Sequence, residues 1–355
     1  MRVGLTYNSL PEKNSRFKTD KFAEFDDISV IMTIKQAIKS GGHEVILIEA
    51  DENAYEKLKH SRLDFVFNIA EGLHGESRES LIPAMLEMLS IPYTGSGVLT
   101  QAITLDKKRT KEILLYYGIP TSRFQVFTSV DEELNPHLRF PLFVKPNAEG
   151  SSKGITRKSL VNTEKELRKL VNFVINRYQQ PALVEEYLEG REFTVSILGN
   201  NPAKVLPIVE ILFDNLPDNV PKFDCFEVKW FWDSPDSNIE TVVCPAKIDK
   251  NLEDQIKKIA LATFKVLGCV DFCRIDLRLD KDNIPNVLDV NALPGLIPDP
   301  KENSRFPKAC YTSGMTYNEI ILSVLHHAMK RYKKNVIPIK IRHPSQKFST
   351  KKQKQ

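Results

Sequence analysis

The most constraining feature of the chain is a pair of short segments near its carboxyl end that alternate apolar and polar residues. Residues 271–279 read DFCRIDLRL, and residues 286–291 read NVLDVN. Successive side chains of a β-strand point to opposite faces, so this period of two predicts two strands, each with one apolar face. The turn residues between them, DKDNIP, favour an antiparallel hairpin. The predicted apolar face consists of Cys273, Ile275, Leu277, Leu279, Leu288 and Val290.

The polar face of this hairpin places two acidic residues opposite each other. With the turn centred on residues 280–285, the symmetric register pairs Asp276 with Asp289 and Arg274 with Asn291. Like charges directly opposite each other destabilise a sheet, and a divalent cation would remove that penalty. Carboxylate and amide oxygens are the ligands that Mg²⁺ prefers, so we predict a metal site here. The alternative is a solvated polar face on which Arg274 bridges the two acids.

The length and pattern of the chain predict several domains. At 355 residues it is too long for one compact core. Residues 1–105 alternate strand-like and helix-like segments, which predicts a parallel, Rossmann-like α/β sheet with crossover helices. Residues 106–200 begin with a predicted helix to about residue 117, and from residue 121 they read as paired strands interrupted by one helix, an α+β pattern. Residues 201–332 contain the hairpin, and residues 333–355 form a basic tail without acids.

Composition narrows the class of protein. No stretch approaches 18 uninterrupted apolar residues, so no membrane-spanning helix is expected, and the amino-terminal apolar run is too short for a signal peptide. The 5 cysteines show no CxxC spacing, which is typical of reduced thiols and favours a cytoplasmic protein. The basic tail has two interpretations, a solvated extension or a segment that contacts nucleic acid or an anionic surface. We expect the former and no nucleic-acid partner.

Two segments suggest nucleotide chemistry. Residues 143–154, FVKPNAEGSSKG, follow a strand-closing lysine with a loop of small residues, whose N–H groups and hydroxyls suit phosphate oxygens. The loop is not a Walker A motif, because residues 155–157 are predicted to continue as a strand, and it could equally be a flexible connection. Residues 183–193 join an apolar strand to a cluster of acids, which suits adenine and ribose or a surface turn.

Taken in order, these segments resemble the ATP-grasp ligases, and within that superfamily the D-alanine–D-alanine ligase family. The resemblance spans about residues 1–330 and implies an N-terminal parallel-sheet domain followed by a two-subdomain ATP-grasp fold. Its motifs are Ile91-Pro-Tyr-Thr-Gly-Ser96, Leu105-Asp-Lys107, Val144-Lys-Pro146, Glu149-Gly-Ser-Ser152, Glu185 with Gly190-Arg-Glu192, Cys244-Pro-Ala246, Arg274-Ile-Asp276 and Asp289-Val-Asn-Ala-Leu-Pro-Gly295.

The resemblance implies ATP and Mg²⁺ (or Mn²⁺) as cofactors. It implies that Lys107 and Lys145 contact the ATP phosphates beneath a closing loop that contains Ser151 and Ser152. The implied adenine-lining residues are Glu185, Glu186, Tyr187 and Leu188, with Glu192 on the ribose. The implied metal ligands are Asp276, Asp289 and Asn291, and the implied catalytic residues are Arg274, Lys229, Ser151 and Glu24.

In the implied reaction, ATP converts a carboxylate to an acyl phosphate, and an amine then displaces phosphate to form an amide. Arg274 would stabilise the oxyanion, and Lys229 would reach the γ-phosphate from a mobile loop. Glu24 or Asp26 would bind the first amino group. The resemblance also implies small amino-acid substrates, a product for peptidoglycan, and a homodimer formed through the N-terminal domain.

The chain departs from the family pattern around the amino-acid pocket. Glu71-Gly72 stands in place of a His-Gly pair, with His74 nearby, and Trp230 replaces a loop tyrosine. The expected substrate-binding serine is absent after Gly295, and Ser304 comes later. ATP-dependent amide formation is therefore predicted more firmly than D-alanine as the substrate. The alternatives are a ligase for other amino acids or a specialised metabolite, and a non-catalytic ATP-binding scaffold.

Overall fold

The computed structural model describes residues 1–11, 20–233, 237 and 239–335. The predicted basic tail beyond residue 335 lies outside these residues. Three β-sheets organise the described chain, one parallel and two antiparallel. None of the helices in this described part has the length and apolar character needed to cross a membrane.

The first sheet is parallel, as the sequence predicts. Its strands lie in the order β2-β1-β3, and every residue of β3 is buried. The helix after β1 begins at a side-chain cap, in which the carboxylate of Asp27 accepts a hydrogen bond from the Ser29 N–H. The elements are β1 Arg2–Tyr7, α1 Ile28–Ser40, β2 Glu44–Glu49, α2 Ala54–His60, β3 Phe65–Asn68, the 3₁₀ turn Arg78–Ser80, α3 Leu81–Met88 and α4 Val98–Leu105.

The second sheet is antiparallel, in the order β4-β7-β5-β6. The predicted strand at residues 155–157 is wrong: the chain turns there, and the Ile155 N–H donates to the Ser152 carbonyl at 3.0 Å. The sheet resumes only at β6. The elements are α5 Lys107–Tyr116, β4 Phe124–Phe127, β5 Leu142–Pro146, β6 Leu160–Val161, α6 Glu164–Tyr178 and β7 Ala182–Glu186.

The third sheet is ordered β11-β10-β8-β12-β13, with β9 paired to β8. Because β8 pairs with β10 and β12, the two antiparallel sheets divide between β7 and β8 rather than at residue 200. The C-terminal helix α9 packs back on α1 of the first domain. The elements are β8 Glu192–Leu198, β9 Lys204–Val205, β10 Val209–Ile211, β11 Val242–Val243, α7 Lys250–Val266, β12 Phe272–Leu279, β13 Pro285–Asn291, α8 Arg305–Thr312 and α9 Tyr317–Asn335.

The predicted hairpin register is confirmed where it concerns the acids. Arg274 pairs with Asn291, and Asp276 pairs with Asp289. One residue further the register shifts, so that Leu277 pairs with Val287. Such a bulge inserts an extra residue into one strand and turns the following side chains over. The prediction that Leu288 joins the apolar face is therefore wrong, because Val287 takes its place in the core and Leu288 lines the cleft above the acids.

The bulge predicts unequal effects of truncating these two neighbours. Val287→Ala should lower the free energy of unfolding by about 2 kcal/mol, since it empties a buried site. Leu288→Ala changes a half-buried side chain at the cleft, so it should lower the free energy of unfolding by less than half as much. Urea unfolding of both variants measures the difference. A larger loss for Leu288→Ala would contradict the bulged register.

Candidate active site

The facing acids of the hairpin are each neutralised by a different cation. Arg274 donates to Asp276 through Nε at 3.1 Å and through Nη2 at 3.0 Å. Asp289 instead lies 3.2 Å from the Nζ of Lys107, at the start of α5. Burial by itself would raise the pKa of Asp276, but the charge and hydrogen bonds of Arg274, with a bond from Thr194, outweigh it and lower the pKa. The charged form of Asp276 is therefore favoured, and Asp289, paired with it across the hairpin, has Lys107 as its partner.

The donor set fits a hard divalent cation. Asp276 and Asp289 keep side-chain exposures of 17% and 26% toward the cleft. Asn291 donates through Nδ2 to Asp276 at 3.1 Å, and its Oδ1 accepts no hydrogen bond from the described residues. Two carboxylates and an amide oxygen on neighbouring strands are suitable ligands for Mg²⁺.

The small-residue loop, residues 147–154, holds a strained backbone over this site. Ser151 and Ser152 adopt φ angles of 49° and 58°, a left-handed region that non-glycine residues rarely occupy. The Gly150 N–H donates to Glu24 Oε1 at 2.8 Å, so the loop is tied to the amino-terminal domain. Lys107 Nζ donates to the carbonyl of Glu149 at 2.8 Å. Both serines line the narrow cleft between the two antiparallel sheets.

A buried lysine pair surrounds Glu185. Lys145 Nζ lies 2.6 Å from Glu185 Oε1, and Lys111 Nζ lies 2.8 Å from Oε2. Burial by itself would raise the pKa of Glu185, but the two lysines outweigh it and lower the pKa to about 2. Sequence reasoning missed Lys111. Its position four residues after Lys107, on the same face of α5, was the available signal.

The predicted adenine and ribose residues border the narrow cleft. Glu185, Glu186, Tyr187, Leu188 and Glu192 all line it. Arg278, which sequence reasoning missed, joins them: Nη1 donates to Glu192 at 3.2 Å and Nη2 to the Tyr187 hydroxyl at 2.8 Å. Burial raises the pKa of Glu192 to about 7. Arg278 continues the alternation of Arg274 and Asp276 along β12, so the strand pattern could have identified it.

Lys229 lies where the narrow cleft meets a larger cavity, and it borders both. Its segment is the π-helical turn Val228–Trp232. Burial, and then the nearby charge of Arg274, lower the pKa of Lys229 to about 8.

The larger cavity encloses about 980 Å³ beside the hairpin. Glu24 and Asp26, the predicted amino-group ligands, both line it. The carboxylate of Glu24 is already engaged by Nη2 of Arg78, at 2.6 and 2.7 Å. Ser304 also lines the cavity, whereas His74 is exposed on a loop and does not.

Comparison with known proteins places this arrangement in context. Residues 113–326 match the family model described as D-ala D-ala ligase C-terminus. The chain is 33% identical over 301 residues to the D-alanine–D-alanine ligase of Carboxydothermus hydrogenoformans. The aligned segment covers 82% of this chain and 90% of that protein. It is 36% identical over 308 residues to an uncharacterised protein of Sinorhizobium fredii, covering 84% of this chain and 87% of that one.

Solved structures agree with the sequence comparisons. The D-alanine–D-alanine ligase of Bacillus anthracis complexed with ATP superimposes with a TM-score of 0.69 at 27% identity. That match covers 94% of this chain and 99% of the bacterial enzyme.

The lysine pair predicts a large cost for neutralising Glu185. Glu185→Gln would leave two buried cations without a counterion, so the free energy of unfolding at pH 7 should fall by about 3–5 kcal/mol. Because the folded pKa lies below the ordinary value of 4.5, Glu185 stabilises the fold above that pH, and its contribution declines as the pH falls toward about 2.

Urea unfolding across this pH range measures the effect. Glu189→Gln, at an exposed acid on the same segment, is the matched control and should change stability by less than about 1 kcal/mol. Equal stabilities of Glu185→Gln and the wild type at pH 7 would contradict the charge assignment.

Proposed function

The chain belongs to the D-alanine–D-alanine ligase family, and on that premise we propose that it joins the carboxylate of one amino acid to the amine of another at the expense of ATP. The observation that carries the proposal is the junction of two binding spaces. The narrow cleft and the larger cavity share Lys107, Lys229, Arg274 and Asp289 as lining residues. A phosphate bound in the cleft would therefore face a carboxylate bound in the cavity, with cations on both sides.

The cations at this junction would offset the negative charge of the reacting phosphate and carboxylate. Transfer of a phosphoryl group to a carboxylate brings two anions together, so positioned positive charges provide most of the acceleration. We assign Lys107, Lys145 and Lys229 to the phosphates and Arg274 to the reacting carboxylate and the oxyanion that follows. In this assignment, Lys107 exchanges its contact with Asp289 for a phosphate oxygen when nucleotide binds.

Asp276, Asp289 and Asn291 are the proposed ligands of Mg²⁺ or Mn²⁺, which when bound offsets the negative charge of the phosphates. The remaining nucleotide residues are proposed by their position in the cleft: Ser151 and Ser152 over the phosphates, Glu185, Glu186, Tyr187 and Leu188 around the adenine, and Glu192 on the ribose.

We assign the exclusion of water from the site to the strained loop, residues 147–154. An acyl phosphate hydrolyses readily, so the site must be closed while it exists. The narrow cleft encloses about 100 Å³, below the roughly 300 Å³ of the smaller ligand pockets. In this proposal the two antiparallel sheets part further when ATP enters. The hydrogen bond from Gly150 to Glu24 connects this closure to the amino-acid side of the site.

We also propose a cytoplasmic homodimer that forms through the N-terminal domain. Leu81 and Met88 lie seven residues apart on α3, and with Leu99 of α4 they expose 44%, 66% and 73% of their surface. Apolar side chains grouped in this way are suited to an interface. The proposed domains follow the predicted boundaries at residues 105 and 332, with the middle boundary moved between β7 and β8.

Phosphate release tests the proposed reaction. With ATP, Mg²⁺ and pairs of small amino acids, including D-alanine, the protein should release phosphate only when an amino acid is present. Arg274→Ala and Asp289→Asn should each lower kcat by about 100-fold or more, since each removes charge stabilisation of the transition state.

Asp282→Asn, at an exposed acid in the turn of the same hairpin, is the matched control and should retain activity. Full activity of Asp289→Asn would refute the assignment of the hairpin as the reaction centre.

A further inference from the structure

One wall of the larger cavity carries three acidic side chains in close contact. Single carboxylate oxygens of Glu24, Glu71 and Glu79 all lie within 4.8 Å of one another. Glu71 follows β3 closely, and Glu79 belongs to the 3₁₀ turn before α3. All three line the same cavity as Arg274 and the hairpin acids. The cluster therefore faces the space in which the amino-acid substrate is proposed to bind.

The cations beside this wall are already occupied. Arg78 pairs with Glu24 and also lies 3.0 Å from Glu149, which has a second cation in Lys153 at 2.8 Å. Glu71 and Glu79, in contrast, receive no side-chain hydrogen bond or ion pair from any residue that the structure describes. Glu79 is only 8% exposed as a residue, and its side chain lines the cavity.

Two unpartnered acids in such a place are costly unless something neutralises them. A charged carboxylate removed from water loses several kcal/mol of hydration unless it is paired. Burial accordingly raises the pKa of Glu79 to about 8 and that of Glu71 well above its ordinary value. Burial thus favours the protonated form of both acids, and a cationic ligand would favour their charged form instead.

The spacing of the oxygens fits primary ammonium groups. Charged N–H···O bonds of about 2.8 Å along tetrahedral directions place neighbouring acceptor oxygens about 4.6 Å apart. The three carboxylate oxygens all lie within 4.8 Å of one another, close enough for one ammonium group to reach more than one of them. Mg²⁺ instead needs a near-octahedral shell of oxygens, of which this cluster offers one from each of its three residues.

Resting on the proposed ligase function, we propose that the carboxyl-donating substrate is a diamino acid, whose two ammonium groups bind to Glu24, Glu71 and Glu79. A monoamino acid such as alanine brings one ammonium group, whereas Glu71 and Glu79 are two acids that form no ion pair with any residue of the described chain. The cavity of about 980 Å³ also exceeds what two alanines require.

A comparison of carboxyl donors tests the substrate class. With ATP and Mg²⁺, kcat/KM is measured for alanine and for 2,3-diaminopropionate, 2,4-diaminobutyrate and ornithine, each in both configurations. At least one diamino acid should exceed alanine by about tenfold or more, as expected for a charged hydrogen bond gained. Glu71→Gln and Glu79→Gln should reduce that preference by about tenfold.

Calorimetry gives a second readout that does not depend on turnover. In the presence of a non-hydrolysable ATP analogue and Mg²⁺, the preferred diamino acid should bind to the wild type and about tenfold more weakly to Glu79→Gln. Glu76→Gln, at an exposed acid of the same loop that does not line the cavity, is the matched control and should bind like the wild type.

Three results would overturn the proposal: alanine used as well as every diamino acid, a preference unchanged in both glutamine variants, or Mn²⁺ binding without nucleotide that Glu79→Gln abolishes. The last result would assign the cluster to a metal ion. A different result would separate the two proposals. If diamino acids bind and Glu79→Gln weakens that binding, but no amino acid causes phosphate release, the ligase function is refuted and the ammonium site is retained.

Discussion

The organisation of the site depends on the repulsion between two carboxylates that the hairpin register holds face to face. Asp276 and Asp289 are paired across β12 and β13, and the sheet tolerates them because each has its own cation. Arg274, the partner of Asp276, lies on the same strand as that acid, β12. Lys107, the partner of Asp289, lies at the start of α5, a helix outside the sheet. The acids thus draw a strand residue and a helix residue to one point, where the narrow cleft and the larger cavity meet.

Charge is divided unevenly around this point. The cleft side contains Lys107, Lys145 and Arg274, which suit the phosphates of a nucleotide. The lining of the larger cavity also contains Glu71 and Glu79, which form no ion pair with a cation in the described part of the chain. A triphosphate and an ammonium-bearing acid would each meet the opposite charge, and the reacting carboxylate would lie between them. Such electrostatic complementarity orients substrates as well as binding them.

The alternation of apolar and polar residues along each strand was enough to predict much of this site, because successive side chains of a strand point to opposite faces. It gave the pairing of Asp276 with Asp289, whereas the alternation of strand-like and helix-like segments gave the parallel first sheet. It failed for Leu288, because a bulge is decided by packing that residue patterns do not show. It also failed for residues 155–157, where the left-handed Ser151 and Ser152 redirect the chain. Lys111 and Arg78 were missed because their partners are distant in sequence.

The central claim is that the facing carboxylates bind a divalent cation together with ATP. Calorimetric titration of ATP into the protein, with and without Mg²⁺, tests it most directly when it is repeated with Asp276→Asn. The account predicts that Mg²⁺ strengthens ATP binding to the wild type by about tenfold or more, and that Asp276→Asn loses this gain. Equal ATP affinity with and without Mg²⁺, or an undiminished gain in Asp276→Asn, would contradict it.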